Sequence, residues 1–200
     1  MNFFYAADIG LTYMDVCFVQ ETSHLNFQHM EKNAIESTQY IQQAALISPD
    51  MLLEHWQGHR RLTRKVIEAF PEDKLFNYSV GGMRPFADLA IEMIRMGAPG
   101  IRGVVIGKWQ NWEALVKSYP TPHTREELLN LWDRATEQIK SLWPHIPVQR
   151  FQEVDKVFDQ YEGPIYSSIL YFIDNEIHHR GQGYVYLRSL GIEPPPFWDR

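Results

Sequence analysis

An all-helical bundle, four main helices joined by some long connections, is the fold that this 200-residue chain predicts, on three observations. Apolar residues recur at three- and four-residue steps, Pro and Gly stand where those runs stop, and no alternating pattern argues strongly for strands. The first main helix should run from Pro49, with Ser48 as its N-cap, to Phe70, where Pro71 stops it; a shorter helix over Ala34–Ala45 precedes it. The second should open at Pro85, a favoured first-turn position, and continue to Met96, after which Gly97-Ala98-Pro99-Gly100 kinks or breaks it and a second half resumes to Trp109. The third opens on Thr124-Arg125-Glu126-Glu127, which has capping-box spacing, and runs to Leu142 ahead of Pro144. The fourth spans Ser167 to Leu190, with Gly191 as a left-handed C-cap and Pro194, Pro195 and Pro196 forbidding continuation. Val148–Phe158 has the weakest pattern and reads as either extended chain or a short helix.

A content of 44% hydrophobic residues with six Trp suffices for one well-buried domain, assigned to residues 30–200. A formal charge of -6 without any Lys/Arg run argues against nucleic acid or an anionic membrane as the main partner. The lone Cys17 excludes an internal disulfide, no apolar run reaches membrane-spanning length, and both suit a protein of the reducing cytoplasm. Residues 1–29 form an N-terminal extension without a single Lys or Arg. Two readings stand for it: Met30 is the natural start, or an arm built from Tyr13 to Gln20 packs on the bundle or on a second subunit.

Chemistry concentrates in the last helix. Phe172, Asn175, His179, Gln182 and Tyr186 fall on one stripe, and His178 lies about a hundred degrees round from His179, so His179 is the imidazole expected to serve the site. On the second helix Leu89, Glu92 and Met96 share a face, placing a carboxylate among large apolar side chains. On the first, Leu52, His59 and Val66 stand in heptad steps, with His55 one turn before His59. Glu92, His179 and either His59 or His55 would give two nitrogens and one oxygen, a set suited to a divalent transition metal with positions left open for water or substrate. Glu92 has a second reading, a buried hydrogen bond or ion pair with His179, His59 or Arg180. Trp56, Trp132 and Trp143 read as core, Arg180 as an interhelix bond or a substrate-orienting group, and Gly181 as a close helix contact.

The segments Glu176-Ile177-His178-His179-Arg180-Gly181-Gln182, Tyr186-Leu187-Arg188 and Leu190-Gly191-Ile192-Glu193-Pro194-Pro195 resemble the DinB and YfiT-like superfamily of helical-bundle proteins. Arg84-Pro85-Phe86-Ala87-Asp88-Leu89 looks like that family's helix-two opening, and Trp56 and Arg60 ahead of Phe70-Pro71 look like its first helix. The resemblance covers the chain from about Leu52 to Pro196. It implies a divalent metal, zinc or nickel, held by three histidines, one on helix two and two spaced by four on the last helix. This chain has Glu92 and Asn175 at two of those positions and keeps only His179. Either the site is rebuilt with His59 or His55, or it no longer holds metal tightly. The resemblance further implies thiol S-transfer or hydrolysis, with a small thiol or electrophile as partner, Asn175, Gln182 or Tyr186 binding substrate, and a homodimer. The alternative is a non-catalytic helical protein that binds a small molecule or acts through dimerisation, its metal site degenerate.

Overall fold

A computed structural model describes residues 46–200 and, upstream of them, Lys32 alone. The expected Ala34–Ala45 helix and both readings of residues 1–29 lie outside the described residues. Contacts divide the chain at Ser48/Pro49, and the bundle is the unit Pro49–Arg200.

Its α-helices are α1 (Pro49–Ala69), α2 (Glu72–Asn77), α3 (Phe86–Ile106), α4 (Trp112–Ser118), α5 (Arg125–Leu142) and α6 (Ile165–Ser189). The long ones, α1, α3, α5 and α6, are the expected four. Central to them is α3, which packs most extensively on α5 and α6, while α1 lies against α5 and α6. Trp56, Trp132 and Trp143 are buried in the core, as the sequence pattern indicates.

The helix ends follow their capping chemistry. Thr124 Oγ1 accepts from Glu127 N at 3.1 Å, while the Glu127 carboxylate accepts from His123 N at 2.7 Å, one residue earlier than a strict capping box. At the end of α6, Gly191 adopts φ 75°, its N–H donating to Arg188 O at 3.0 Å and that of Ile192 to Leu187 O at 2.9 Å. That pair of bonds is a Schellman closure.

Three expectations change. Pro99 does not break the second long helix: α3 is continuous through it and ends at Gly107, φ 66°. An interior proline costs a hydrogen bond and a steric clash, but the surrounding turn is wholly buried, with Gly97 against Trp56 and Ile139 and Gly100 against Phe172. Tertiary packing there outweighs the local penalty. Second, the Val148–Phe158 segment, read from sequence as either extended chain or a short helix, contains both. Val148–Gln152 forms a 3₁₀ turn, followed by an antiparallel hairpin of β1 (Val154–Val157) and β2 (Tyr161–Pro164), with Val157 opposite Tyr161. Its turn holds Phe158 and Asp159 at φ 53° and 57°, a left-handed conformation that a bulky aromatic rarely adopts.

Third, the close glycine contact on α6 belongs to Gly183 rather than Gly181. A Cβ on Gly183 would lie 2.5 Å from the Phe86 ring, whereas one on Gly181 meets nothing within 4 Å. Phe86 cannot yield easily, because it is fully buried and stacked on Phe70 at 4.8 Å and 11°. Gly183→Ala should therefore destabilise the bundle by about 1–3 kcal/mol through overpacking, despite alanine's better helix propensity. Denaturant unfolding checks this; an unchanged or higher midpoint would contradict the tight contact.

Candidate functional site

Glu92 from α3 meets Asn175, His179 and Gln182 from α6. One turn separates Asn175 from His179, so both side chains reach the same side of α6, where α3 presents Glu92. His179 Nε2 lies 3.0 Å from Glu92 Oε1, and Asn175 Nδ2 donates to that same oxygen at 3.3 Å. On the other side of the ring, His179 Nδ1 is 2.9 Å from Gln182 Oε1. Arg84, in the loop before α3, donates to Glu92 Oε2. Tyr186 is fully buried, and its hydroxyl donates to the Arg84 carbonyl at 3.0 Å. The hydroxyl expected to face substrate thus fastens the residue that binds Glu92.

Both nitrogens of His179 face oxygen acceptors, an arrangement that a doubly protonated imidazole satisfies. Burial alone would push His179 below its ordinary value of 6.5; the bond to Glu92, then that to Gln182 and the carboxylate charge, outweigh it and raise the pKa. The His179 bond in turn brings Glu92 down from 4.5 to about 2, against the opposing effect of burial and with help from Arg84. The two shifts describe one ion pair.

Glu92 is also the member of this cluster that lines a cleft. It borders a cleft of about 390 Å³ walled by Trp112, Phe158 and Tyr161, with Arg95 and Asp159 at its edge. Arg95 is fixed there: its guanidinium donates twice to the Tyr119 carbonyl, at 3.0 and 2.8 Å, and lies 5.4 Å from the Trp112 ring. Phe158 and Tyr161 also line a neighbouring cleft of about 280 Å³. The strained hairpin turn is thus what places an aromatic wall between the two.

His59 and His55 form a separate pair. Their Nε2 atoms are 3.2 Å apart, and His59 is surrounded by cations, Arg180 Nη2 donating to its Nδ1 at 2.9 Å and Arg200 Nη1 lying 3.1 Å from its Nε2. Burial first, then the charges of Arg180, His55 and Arg200, lower His59 from 6.5 to about 3. Nδ1 faces Arg180, and Nε2 is hemmed in by Arg200 and His55, so His59 presents no nitrogen open to a metal. Arg180 is accordingly an interhelix residue, and His178 is exposed.

A further polar cluster was not singled out by periodicity. Glu176, 1% exposed, accepts from Thr63 Oγ1 at 2.8 Å and Trp56 Nε1 at 3.1 Å, and Arg60 Nη1 lies 3.5 Å from its Oε2. Arg60 lies flat on Trp132, 3.5 Å from the ring centre, and donates to Thr136 Oγ1 and the Trp132 carbonyl at 2.9 and 3.1 Å. A usable signal existed: Trp56, Arg60 and Thr63 recur at helical steps on α1, as do Phe172, Glu176 and His179 on α6.

As a holder of a divalent transition metal, the Glu92 cluster falls short. It has two strong donors, the Glu92 carboxylate and the His179 imidazole, and both are engaged with each other. Asn175 contributes an amide whose Oδ1 is buried without a hydrogen-bond partner, a weak donor to zinc or nickel. The Arg84 cation already occupies the second carboxylate oxygen. Among the described residues no group of three or more His, Cys, Asp or Glu side chains is arranged to hold a metal ion. Nor is any described helix long and apolar enough to cross a membrane.

The family model for the DinB family matches residues 30–199. A solved structure of a DinB-like protein from Bacillus cereus superposes with TM-score 0.60 at 17% identity, covering 74% of this chain and 97% of that one. Another, the DinB-like protein YjoA from Bacillus subtilis, gives 0.58 at 18% identity and covers 74% and 98%. No curated protein matches the chain.

Proposed function

The chain belongs to the DinB family, and within it we propose a small-molecule-binding protein in which a proton shared by Glu92 and His179 stands where the family resemblance implies a metal held by three histidines. The observation that carries this reading is the 3.0 Å contact between His179 Nε2 and Glu92 Oε1 at the edge of an aromatic-walled cleft. Ligand enters the cleft against Trp112, Phe158 and Tyr161, and Glu92 supplies the fixed negative group that orients it. Such a combination, apolar walls with a few anchored polar groups, is what small-molecule sites have in common. Small thiols and the electrophiles or thioethers related to them are the first candidates. A cytoplasmic location is part of the proposal and rests on the lone Cys17.

The test combines metal analysis with ligand binding on untagged full-length protein. The proposal expects no stoichiometric zinc, nickel or manganese after incubation with each. It also expects a panel of cysteine, glutathione and their S-alkyl conjugates to contain members that raise the unfolding temperature, an effect weakened by Trp112→Ala and Glu92→Gln. About one transition metal per chain, lost in both Glu92→Ala and His179→Ala, would overturn it in favour of metal-dependent thiol transfer or hydrolysis.

A further inference from the structure

Arg95 is a buried cation without an anion of its own. Only 8% of it is exposed, and no carboxylate among the described residues forms an ion pair with it. Asp88, seven residues earlier, is exposed and acts on it only through its charge. Glu92, one turn earlier on α3, is already held by His179 and Arg84. Buried charges are ordinarily paired, because a guanidinium taken out of water without a counter-charge is costly.

Its hydrogen bonds leave one end of the guanidinium open. Of the five N–H donors, the one on Nε goes to the Tyr119 carbonyl, and those on Nη2 go to that carbonyl and to Thr121 Oγ1 at 3.2 Å. Both N–H groups of Nη1 are left without an acceptor among the described residues, and unlike Nη1 of Arg60 this nitrogen is not sealed from solvent. The open space that Arg95 lines is the cleft walled by Trp112, Phe158 and Tyr161. Fastening Tyr119, the residue that closes α4, accounts for Nε and Nη2. It accounts for neither Nη1 nor the charge, since a neutral donor would hold a carbonyl as well.

The surroundings also select the anion. One open nitrogen on one cation suits a singly charged group, whereas Glu92 and Asp159 border the same cleft and would repel a dianion such as a phosphate monoester. A carboxylate meets that limit, with the rest of the ligand lying on the aromatic wall. Glu92 and Arg95 stand three residues apart on one helix, their Cβ atoms about 5–6 Å from each other. One small ligand can therefore present a donor group to Glu92 and a carboxylate to Arg95 at the same time.

We propose that Arg95 is the specificity-determining residue of this cleft, binding a ligand carboxylate through Nη1, so that the ligand is a carboxylic acid with an apolar thioether arm, as in an S-alkylated cysteine. The proposal rests on the reading of the cleft as the ligand site.

Calorimetric titration of the full-length chain with S-benzylcysteine and with its carboxamide tests it, at a mildly acidic pH that keeps both ammonium groups protonated. The two probes share ring, thioether and ammonium and differ in the carboxylate. Wild type should bind the acid at least about tenfold more tightly than the carboxamide. Arg95→Gln should bring the two within about twofold of each other by weakening the acid alone. If Arg95→Gln does not unfold cooperatively, the NMR signal of the Arg95 Nε–H in wild type decides: it should move with the acid and stay with the carboxamide. Equal binding of both probes to wild type overturns the proposal and leaves the cleft as the ligand site. So does an Arg95→Gln variant that weakens both probes alike, the mark of a residue that only fastens Tyr119, or an Arg95 signal that the acid does not move. Binding of neither probe also overturns it, and the cleft itself is then judged by the thermal shifts with the other thiols.

Discussion

Arg60→Ala is expected to destabilise the bundle by about 3 kcal/mol, because it leaves the buried Glu176 carboxylate with only the more distant Arg180, 4.0 Å away, to offset its charge. Arg60 and Glu176 side chains are 0% and 2% exposed, so solvent cannot take over the role of the missing group. The guanidinium also provides its stack on Trp132 and its bond to Thr136, both of which vanish with it. For a domain of this size the loss corresponds to a fall of roughly 10 °C in unfolding temperature. Arg60→Lys should recover only part of it, since an ammonium can neither lie flat on the indole nor donate along the same directions. A double-mutant cycle with Glu176→Ala measures the coupling. An Arg60→Ala change below about 1 kcal/mol would show that the pair is dispensable.

Glu92→Gln is expected to bring the His179 pKa down, since the interaction that most strongly raises it is lost while burial continues to lower it. The stability consequences have opposite pH dependences. Glu92 has a lowered folded-state pKa, so its contribution is complete above its ordinary value of 4.5 and is lost as pH falls toward about 2. His179 has a raised one, so its contribution is complete below its ordinary value of 6.5 and is lost as pH rises through the folded-state value. The wild-type advantage over Glu92→Gln should therefore peak between those ordinary values. Because Glu92 remains 28% exposed, screening keeps the effect on the order of 2 kcal/mol. Denaturant unfolding of both proteins across the acid and neutral range checks it. A difference that does not vary with pH would contradict the ion pair.

The fold was largely legible because its long helices are bounded by residues with strong local rules. Pro71, Thr124 and Gly191 end or cap helices through constraints that tertiary packing had no reason to overrule. Pro99 illustrates the opposite case: a helix breaker read locally, but surrounded in space by Trp56, Ile139 and Phe172 around its neighbouring glycines, which only the assembled bundle reveals. The hairpin escaped because each strand has four residues, too few for alternation to register, and its turn uses Phe158 and Asp159 where glycine would have signalled it.

Glu92, Asn175, His179 and Gln182, which stand on the helical stripes, lie together in the fold. Arg84 was not singled out as a site residue because it lies in the loop ahead of α3, where no periodicity applies. His59 shared the right heptad pattern yet is engaged by Arg180, a pairing between two helices far apart in sequence. Gly181 and Gly183 are two residues apart and face different surroundings, so only the rotation of α6 within the bundle distinguishes the one against Phe86 from the one in open space.

The most direct test of the proton-held site is long-range ¹H–¹⁵N NMR of His179 in the full-length chain just below the ordinary imidazole value of 6.5, recorded without metal and with equimolar zinc. A ring protonated on both nitrogens, unchanged by zinc and converting to a single-proton form in Glu92→Gln, is the predicted result. Displacement of the Nε2 proton by equimolar zinc, with a metal-shifted nitrogen in its place, would contradict it and return the site to metal chemistry.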